Sequence, residues 1–324
     1  TGSGSYLFFN GTQTLSGSGE VVFGGGTNAY NILYARGDGG SNPATLTIGP
    51  DIEIHGSQSG TISGQYTGDT LVNQGTIHAD TSGKTITVSG KDWVNTGLLK
   101  ASNGGTLSLA GLDTTGKTLA LDVAGGFLRL NIKGGTITES SGGVINVTGG
   151  GLNGVTLNAD VTIGNGWLGV ENGLELNGTL TLASTGNSTY LYFNSTQTLS
   201  GTGEVTFGGT ADYDYYRRLF VSGDGGSNPA TLTIGPDIEI HGGAGGYIQS
   251  YYLNDSLIIQ GTIDADTSGN TITLSGANWI NTGLLRASNG GTLDLGGTFT
   301  LASLGTFDAT EGTVRITGTL DNTG

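Results

Sequence analysis

Short alternations of apolar and polar residues run through the chain, as in Thr45-Leu46-Thr47-Ile48, Thr85-Ile86-Thr87-Val88 and Thr271-Ile272-Thr273-Leu274. Runs of four to six residues with this period of two, bounded by Gly, Asn, Asp and Ser, predict β-strands with Leu, Ile and Val inside and Thr outside. The β-branched side chains suit such a pleated face. No apolar period of 3.6 survives for ten residues and glycine is frequent, so no helix is predicted.

The strands recur at a near-constant interval. Gly261–Ala265, Gly283–Ala287 and Gly305–Ala309 follow one another at an interval of 22, and the second alternations Thr271–Gly276, Thr292–Gly297 and Thr313–Gly318 recur every 21. Over this short period lies a long one. Gly37–Gly56 returns letter for letter as Gly223–Gly242, 186 positions later. Ser5–Gly25 answers Thr189–Gly209 at an offset of 184, and Val72–Leu109 answers Ile258–Leu295 at 186. Copy one therefore covers residues 1–184 and an incomplete copy two covers 185–324. Near the end the offset jumps from 186 to 208, as Leu112–Gly116 reappears at Leu320–Gly324. The difference of 22 is one rung, an extra coil near 297–318, and such an insertion is easy where coils touch only their neighbours.

These periods predict an all-β, single-stranded parallel β-helix of about 22 residues per coil, with residues 1–324 forming one continuous β-solenoid. At about 4.8 Å per coil, some 14 or 15 coils would make a rod roughly 70 Å long. Both termini fall in mid-repeat with no visible cap. The expectation is a window on a longer array, or a subunit whose strand edges are covered by the next.

Composition narrows the function classes. With 64 glycines, 4 prolines and no cysteine or methionine, the chain is not an ordinary globular enzyme, and thiol or disulfide chemistry is absent. Hydrophobics at 35% are sufficient to bury a core, so the chain need not be disordered, and glycine shows no period of three, which excludes collagen. The net charge of −15 opposes nucleic acid and anionic lipid and favours basic ligands or divalent cations. No apolar run approaches the roughly 20 residues of a membrane span, so no membrane insertion is expected.

The wording of the repeats, TQTLSGTGEVTFGG, LTIGP, NTGLL and TGTLDNTG, resembles the large repetitive β-solenoid surface proteins of bacteria, those grouped with filamentous-haemagglutinin-like adhesins and autotransporter passenger domains. That resemblance implies right-handed winding, secretion and an extracellular or cell-surface location. It implies a structural protein forming a rod or filament, whose partner is itself through end-to-end stacking into a homopolymer or tandem array. The alternative it implies is a segment of a large adhesin that binds surface glycans. It carries no catalytic residues to transfer.

Several groups invite a chemical reading. Asp51, Glu53 and His55 alternate with Ile52 and Ile54 and share one outward face, as do Asp237, Glu239 and His241, so carboxylate and imidazole could ligate a divalent metal there. The plainer reading is a solvated strand face. GDGGSN at Gly37–Asn42 and Gly223–Asn228 matches a calcium loop only in composition and is expected to be a tight turn, so neither Ca²⁺ nor any other cofactor is assigned. Arg36-Gly37-Asp38 spells an integrin tripeptide, but copy two has Ser222 for the arginine. Sequons stand at Asn10, Asn146, Asn177, Asn187, Asn194 and Asn254.

Outward acids such as Asp264, Asp266, Asp294 and Asp308 recur with the rung instead of clustering once, so no enzyme is expected. Thr-x-Thr pairs of the kind that order ice are interrupted at Thr292-Asp294 and Thr313-Arg315. The copies diverge most at Gly25–Arg36 against Gly209–Ser222 and at Ser57–Thr70 against Gly243–Ser256. These segments are expected to be loops, and copy two makes them aromatic with Tyr213, Tyr215, Tyr216, Tyr247, Tyr251 and Tyr252, the candidate glycan-binding residues.

Overall fold

The computed structural model describes residues 4–26, 30–276 and 278–322. Thr1 and the last two residues of the Leu320–Gly324 echo lie outside them. Strand accounts for 58% of the chain and helix for 2%, which makes it an all-β parallel β-solenoid of about 22 residues per turn, with about 14 turns. Its contacts divide it into two compact units, Thr1–Val147 and Thr148–Gly324.

In the first unit successive coils place equivalent strands in parallel register. One column runs through Ser5–Asn10, Asn31–Arg36, Gly60–Gly64, Thr85–Ser89, Thr106–Asp113 and Phe127–Lys133. A second runs through Gln13–Leu15, Thr45–Ile48, Thr70–Asn73 and Val94–Asn95. The third runs through Gly19–Val22, Ile52–His55, Thr76–Ala79, Leu98–Ser102, Thr118–Ala124 and Thr136–Glu139. The second unit repeats the plan, with columns from Thr189–Asn194 to Thr313–Ile316, from Gln197–Ser200 to Trp279–Asn281, and from Val161–Gly164 to Thr306–Asp308.

The period of two becomes a stacked core because each inward residue meets its register partner in the next coil. Leu33, Ile62, Val88, Leu109 and Leu130 occupy one such position and none is more than 1% exposed. Leu191, Leu219, Ile248, Leu274 and Leu295 do the same in the second unit. Burial of each such side chain contributes about 1.5–3 kcal/mol. At Asn73, which is fully buried, amide side chains stack instead. Asn73 Nδ2 donates to Asn95 Oδ1 across one coil step at 2.7 Å.

Coil length varies more than the rung predicts. Asn31 pairs with Gly60, a step of 29, and Thr106 with Phe127, a step of 21. Ser5 pairs with Asn31 at a step of 26, whereas Thr189 pairs with Arg217 at a step of 28, so the two additional residues of copy two lie between those strands. The segments expected to be loops are loops only in part. Asn31–Arg36, Gly60–Gly64, Arg217–Ser222 and Gly246–Ser250 are strands, which puts Tyr247 on a strand. Leu301–Leu304 forms one helical turn, unforeseen because four residues cannot show a helical period, and Thr300 caps it by accepting from the Ser303 amide.

Candidate functional site

The letter-for-letter identity of Gly37–Gly56 with its second copy is explained by a buried carboxylate outside it. Gly37–Pro43 links Asn31–Arg36 to Thr45–Ile48, and Asp38 folds back on the turn, its Oδ1 accepting from the amides of Gly40 (2.8 Å) and Asn42 (3.1 Å). Beneath this turn Asp69, 1% exposed, accepts from the amides of Gly37 (3.0 Å), Ala44 (2.7 Å) and Tyr66 (3.0 Å). Asp255, fully buried, repeats the arrangement on Gly223 (3.1 Å), Ala230 (2.8 Å) and Tyr252 (3.1 Å). Burial disfavours the charged form of Asp69, but the three amides outweigh it and hold the carboxyl below its ordinary range. A Cβ at Gly37 would stand 2.5 Å from the Asn42 carbonyl oxygen and 2.6 Å from Asp69 Oδ1, so only glycine fits.

The charged groups of the Arg36-Gly37-Asp38 tripeptide are both engaged. The Arg36 guanidinium lies over the Phe8 ring at 5.1 Å, and Asp38 Oδ2 accepts from Asn42 Nδ2 at 2.7 Å.

The candidate metal residues are distributed differently from their sequence spacing. Asp51 and Asp237 lie exposed in turns, whereas His55 finds its partners on the coils either side. Its Nε2 meets Glu20 at 2.9 Å and its Nδ1 meets Asp80 at 3.1 Å. His241 does the same with Glu204 at 2.6 Å and Asp266 at 3.0 Å. An imidazole whose two nitrogens both face carboxylate oxygens must donate from both, which is the imidazolium form. For His55 the bond to Glu20 raises the pKa against a smaller opposing effect of burial. For His241 burial opposes, and the bonds to Glu204 and Asp266 prevail, so it too is raised.

The same face continues along each unit. In the first, Glu53 meets His78 at 3.1 Å, His78 Nε2 meets the Ser102 hydroxyl at 2.7 Å, and Lys100 pairs with Asp122 at 3.0 Å. In the second, Asp264 and Arg286 replace His78 and Lys100, and the network re-forms. Asp264, 2% exposed, takes Arg286 at 2.6 Å and the Ser288 hydroxyl at 3.0 Å, and Arg286 stands 3.5 Å from Glu239. Among the described residues no group of three or more His, Asp or Glu is arranged to hold a metal ion.

The candidate tyrosines converge. Tyr213 stacks on Tyr215 at 5.2 Å, and Tyr215 packs on Tyr216 at 4.6 Å within a short 3-10 turn at Asp214–Tyr216. Arg218 lies over Tyr247 at 5.6 Å and Phe220 at 5.9 Å while its Nε donates to the Tyr215 carbonyl at 2.8 Å. Phe220 in turn meets Tyr192 at 5.0 Å, Tyr190 at 5.5 Å and Tyr251 at 5.2 Å, and Tyr251 meets Tyr252 at 4.8 Å. The first unit has a smaller counterpart in Tyr6, Phe8 and Tyr34.

Glu20, Asp80, Glu204, Asp69 and Asp255 are among the participants that sequence reading missed, with His78, Lys100, Asp122, Arg218, Phe220 and Arg286. The first five are acids found at matching positions in both copies, and that pairing was the available signal. A groove of about 520 Å³ in the second unit is lined by Gly154, Asn172, Glu175 and Thr198, among others, and Glu175 accepts there from the Thr156 hydroxyl at 3.0 Å. Comparison with family models, with curated proteins and with solved structures found no match.

Proposed function

We propose that this chain is an extracellular structural protein, a β-solenoid segment of a fibre, matrix or surface appendage, extended by the stacking of coil on coil. The observation that carries the reading is where the reactive-looking groups are spent. His55, His241, Asp69, Asp255, Lys100 and Arg286 all bond to the coil above or below, so the chemistry on the surface is chemistry of stacking.

Electron microscopy of the purified protein tests this: filaments are expected, and a monodisperse monomer by light scattering at the same concentration overturns it. No catalytic residue or cofactor belongs to this reading. One observation favours a second, that of an adhesin segment: the connected aromatic face of the second unit, where Tyr213 is 57% and Tyr251 50% exposed. Surface rings on this scale exceed what stacking requires.

A further inference from the structure

The aromatic face of the second unit is held in place by a buried cation. Arg217 is 1% exposed, and its guanidinium donates to the carbonyls of Gly208, Gly245 (3.1 Å) and Ala211 (2.9 Å). Asn31 occupies the matching place in the first unit and donates to the carbonyls of Gly24 (3.2 Å) and Ser59 (3.1 Å), the counterparts of Gly208 and Gly245. Replacing asparagine by arginine thus adds a third anchor, Ala211, which lies in the loop that copy two has lengthened by two residues. That loop carries Tyr213, Tyr215 and Tyr216. A longer loop together with a buried arginine that fixes it makes a preorganised feature, and preorganisation is what weak ligands need most.

The chemistry of the face selects the ligand. It joins ring faces to phenolic hydroxyls, with Tyr213, Tyr215, Tyr251 and Tyr252 between 38% and 57% exposed. Its two guanidiniums are already used, Arg217 on carbonyls and Arg218 on two rings and the Tyr215 carbonyl. Asp212 stands exposed on the same loop, in a chain of net charge −15, so an acidic ligand is repelled. Phe220, 4% exposed, is the buried ring on which Tyr192, Tyr190 and Tyr251 pack at 5.0 to 5.5 Å, and it fixes the more exposed rings around it. A pyranose offers the complement, a flat C–H face with a rim of hydroxyls.

We propose that this face binds an uncharged pyranose glycan, and that Arg217 is its positioning residue. The proposal rests on the adhesin reading above and deepens it.

The test uses the full chain against soluble amylose, β-glucan, mannan and galactan, with alginate as the acidic control. Binding to at least one neutral polymer and not to alginate is expected. Tyr251→Gln, which installs the Gln65 of the first unit, should weaken that binding about tenfold. Arg217→Asn, which installs the chemistry of Asn31, should weaken it comparably while far-ultraviolet circular dichroism and melting stay near wild type, because the first unit shows that the coil accepts asparagine. Unaltered binding by both variants overturns the aromatic face and leaves an adhesin elsewhere on the chain. Absence of binding to every neutral polymer, or capture of a protein ligand in its place, overturns the glycan assignment. Filament formation scored on the same samples keeps the structural reading separate, since all variants should assemble alike.

Discussion

Asp69 shows how much one residue does when it is placed under a turn. Its two oxygens collect the amides of Gly37, Ala44 and Tyr66, three donors that the connection could not otherwise satisfy away from water. Asp69→Ala removes all three acceptors at a buried position and should cost about 3 to 5 kcal/mol, with Asp69→Asn in between. Amide exchange is the local readout: the Gly37, Ala44 and Tyr66 protons should lose protection while core strands keep theirs. Because the folded-state pKa of Asp69 is lowered, its stabilisation is present above the ordinary carboxylate pKa of 3.8 and disappears as pH falls through the lower folded value. The histidines act in the other direction. His55 and His241 have folded pKa values above 6.5, so their contribution is complete below 6.5 and is lost as pH rises through the folded value. The melting temperature should therefore fall as pH rises above 6.5, and His55→Asn with His241→Asn should flatten that slope. An unchanged slope in the double variant would show that Glu20, Asp80, Glu204 and Asp266 do not depend on the imidazolium.

Between strands, the value of an ion pair follows the burial of its weaker-solvated partner. Asp264 has a side chain 3% exposed and depends on Arg286, whereas Asp294, which meets Arg315 at 2.6 Å, is 13% exposed and its partner 54%, so that pair keeps more of its solvent. Arg286→Met strands a buried carboxylate and should cost about 2 to 4 kcal/mol, whereas Arg315→Met should cost less than about 1. Equal losses in a denaturant series would mean that Asp264 is satisfied by Ser288 alone. The same geometry explains what could be read from sequence. Strands such as Thr85–Ser89 were legible because inside and outside alternate along one segment, and the rung because glycine closes each alternation. The partners of His55 were not legible in that way. Glu20 and Asp80 lie 35 and 25 residues away, one coil to either side, and a reader of a single strand sees Asp51 and Glu53 instead. Coil length sets these meetings, and it varies with each loop. Tyr247 was misplaced for a related reason, since the glycines around it read as a loop while the structure uses Gly246 to let the strand pass the Phe207 ring, which any Cβ at that position would overlap.

At the scale of the whole chain, stability should be a sum over coils and their nearest-neighbour contacts. The extra coil of copy two lets this be tested within one unit. Thr292–Leu295 pairs with Thr313–Ile316 and Thr298–Thr300 with Thr319–Asp321, both at a step of 21. Removing Thr298–Gly318 therefore sets Thr319 where Thr298 stood, in register and facing the same neighbours, and takes out 21 of the 22 residues by which copy two exceeds copy one there. In a globular core such an excision exposes surfaces that evolved to meet the deleted segment. In a solenoid it removes one coil and one interface, and the new interface is of the kind already present. The shortened chain should fold with an unchanged β-type circular dichroism spectrum, and its melting temperature should fall by only a few degrees, about the contribution of a single coil. Removing half a coil is the matched control. It turns inward-facing residues to the wrong side of the stack and should strip amide protection from the coils at and beyond the cut while the coils before it keep theirs. If the half-coil and whole-coil deletions behave alike, stability does not reside in coil-to-coil register, and the assembly mechanism proposed for this protein loses its physical basis.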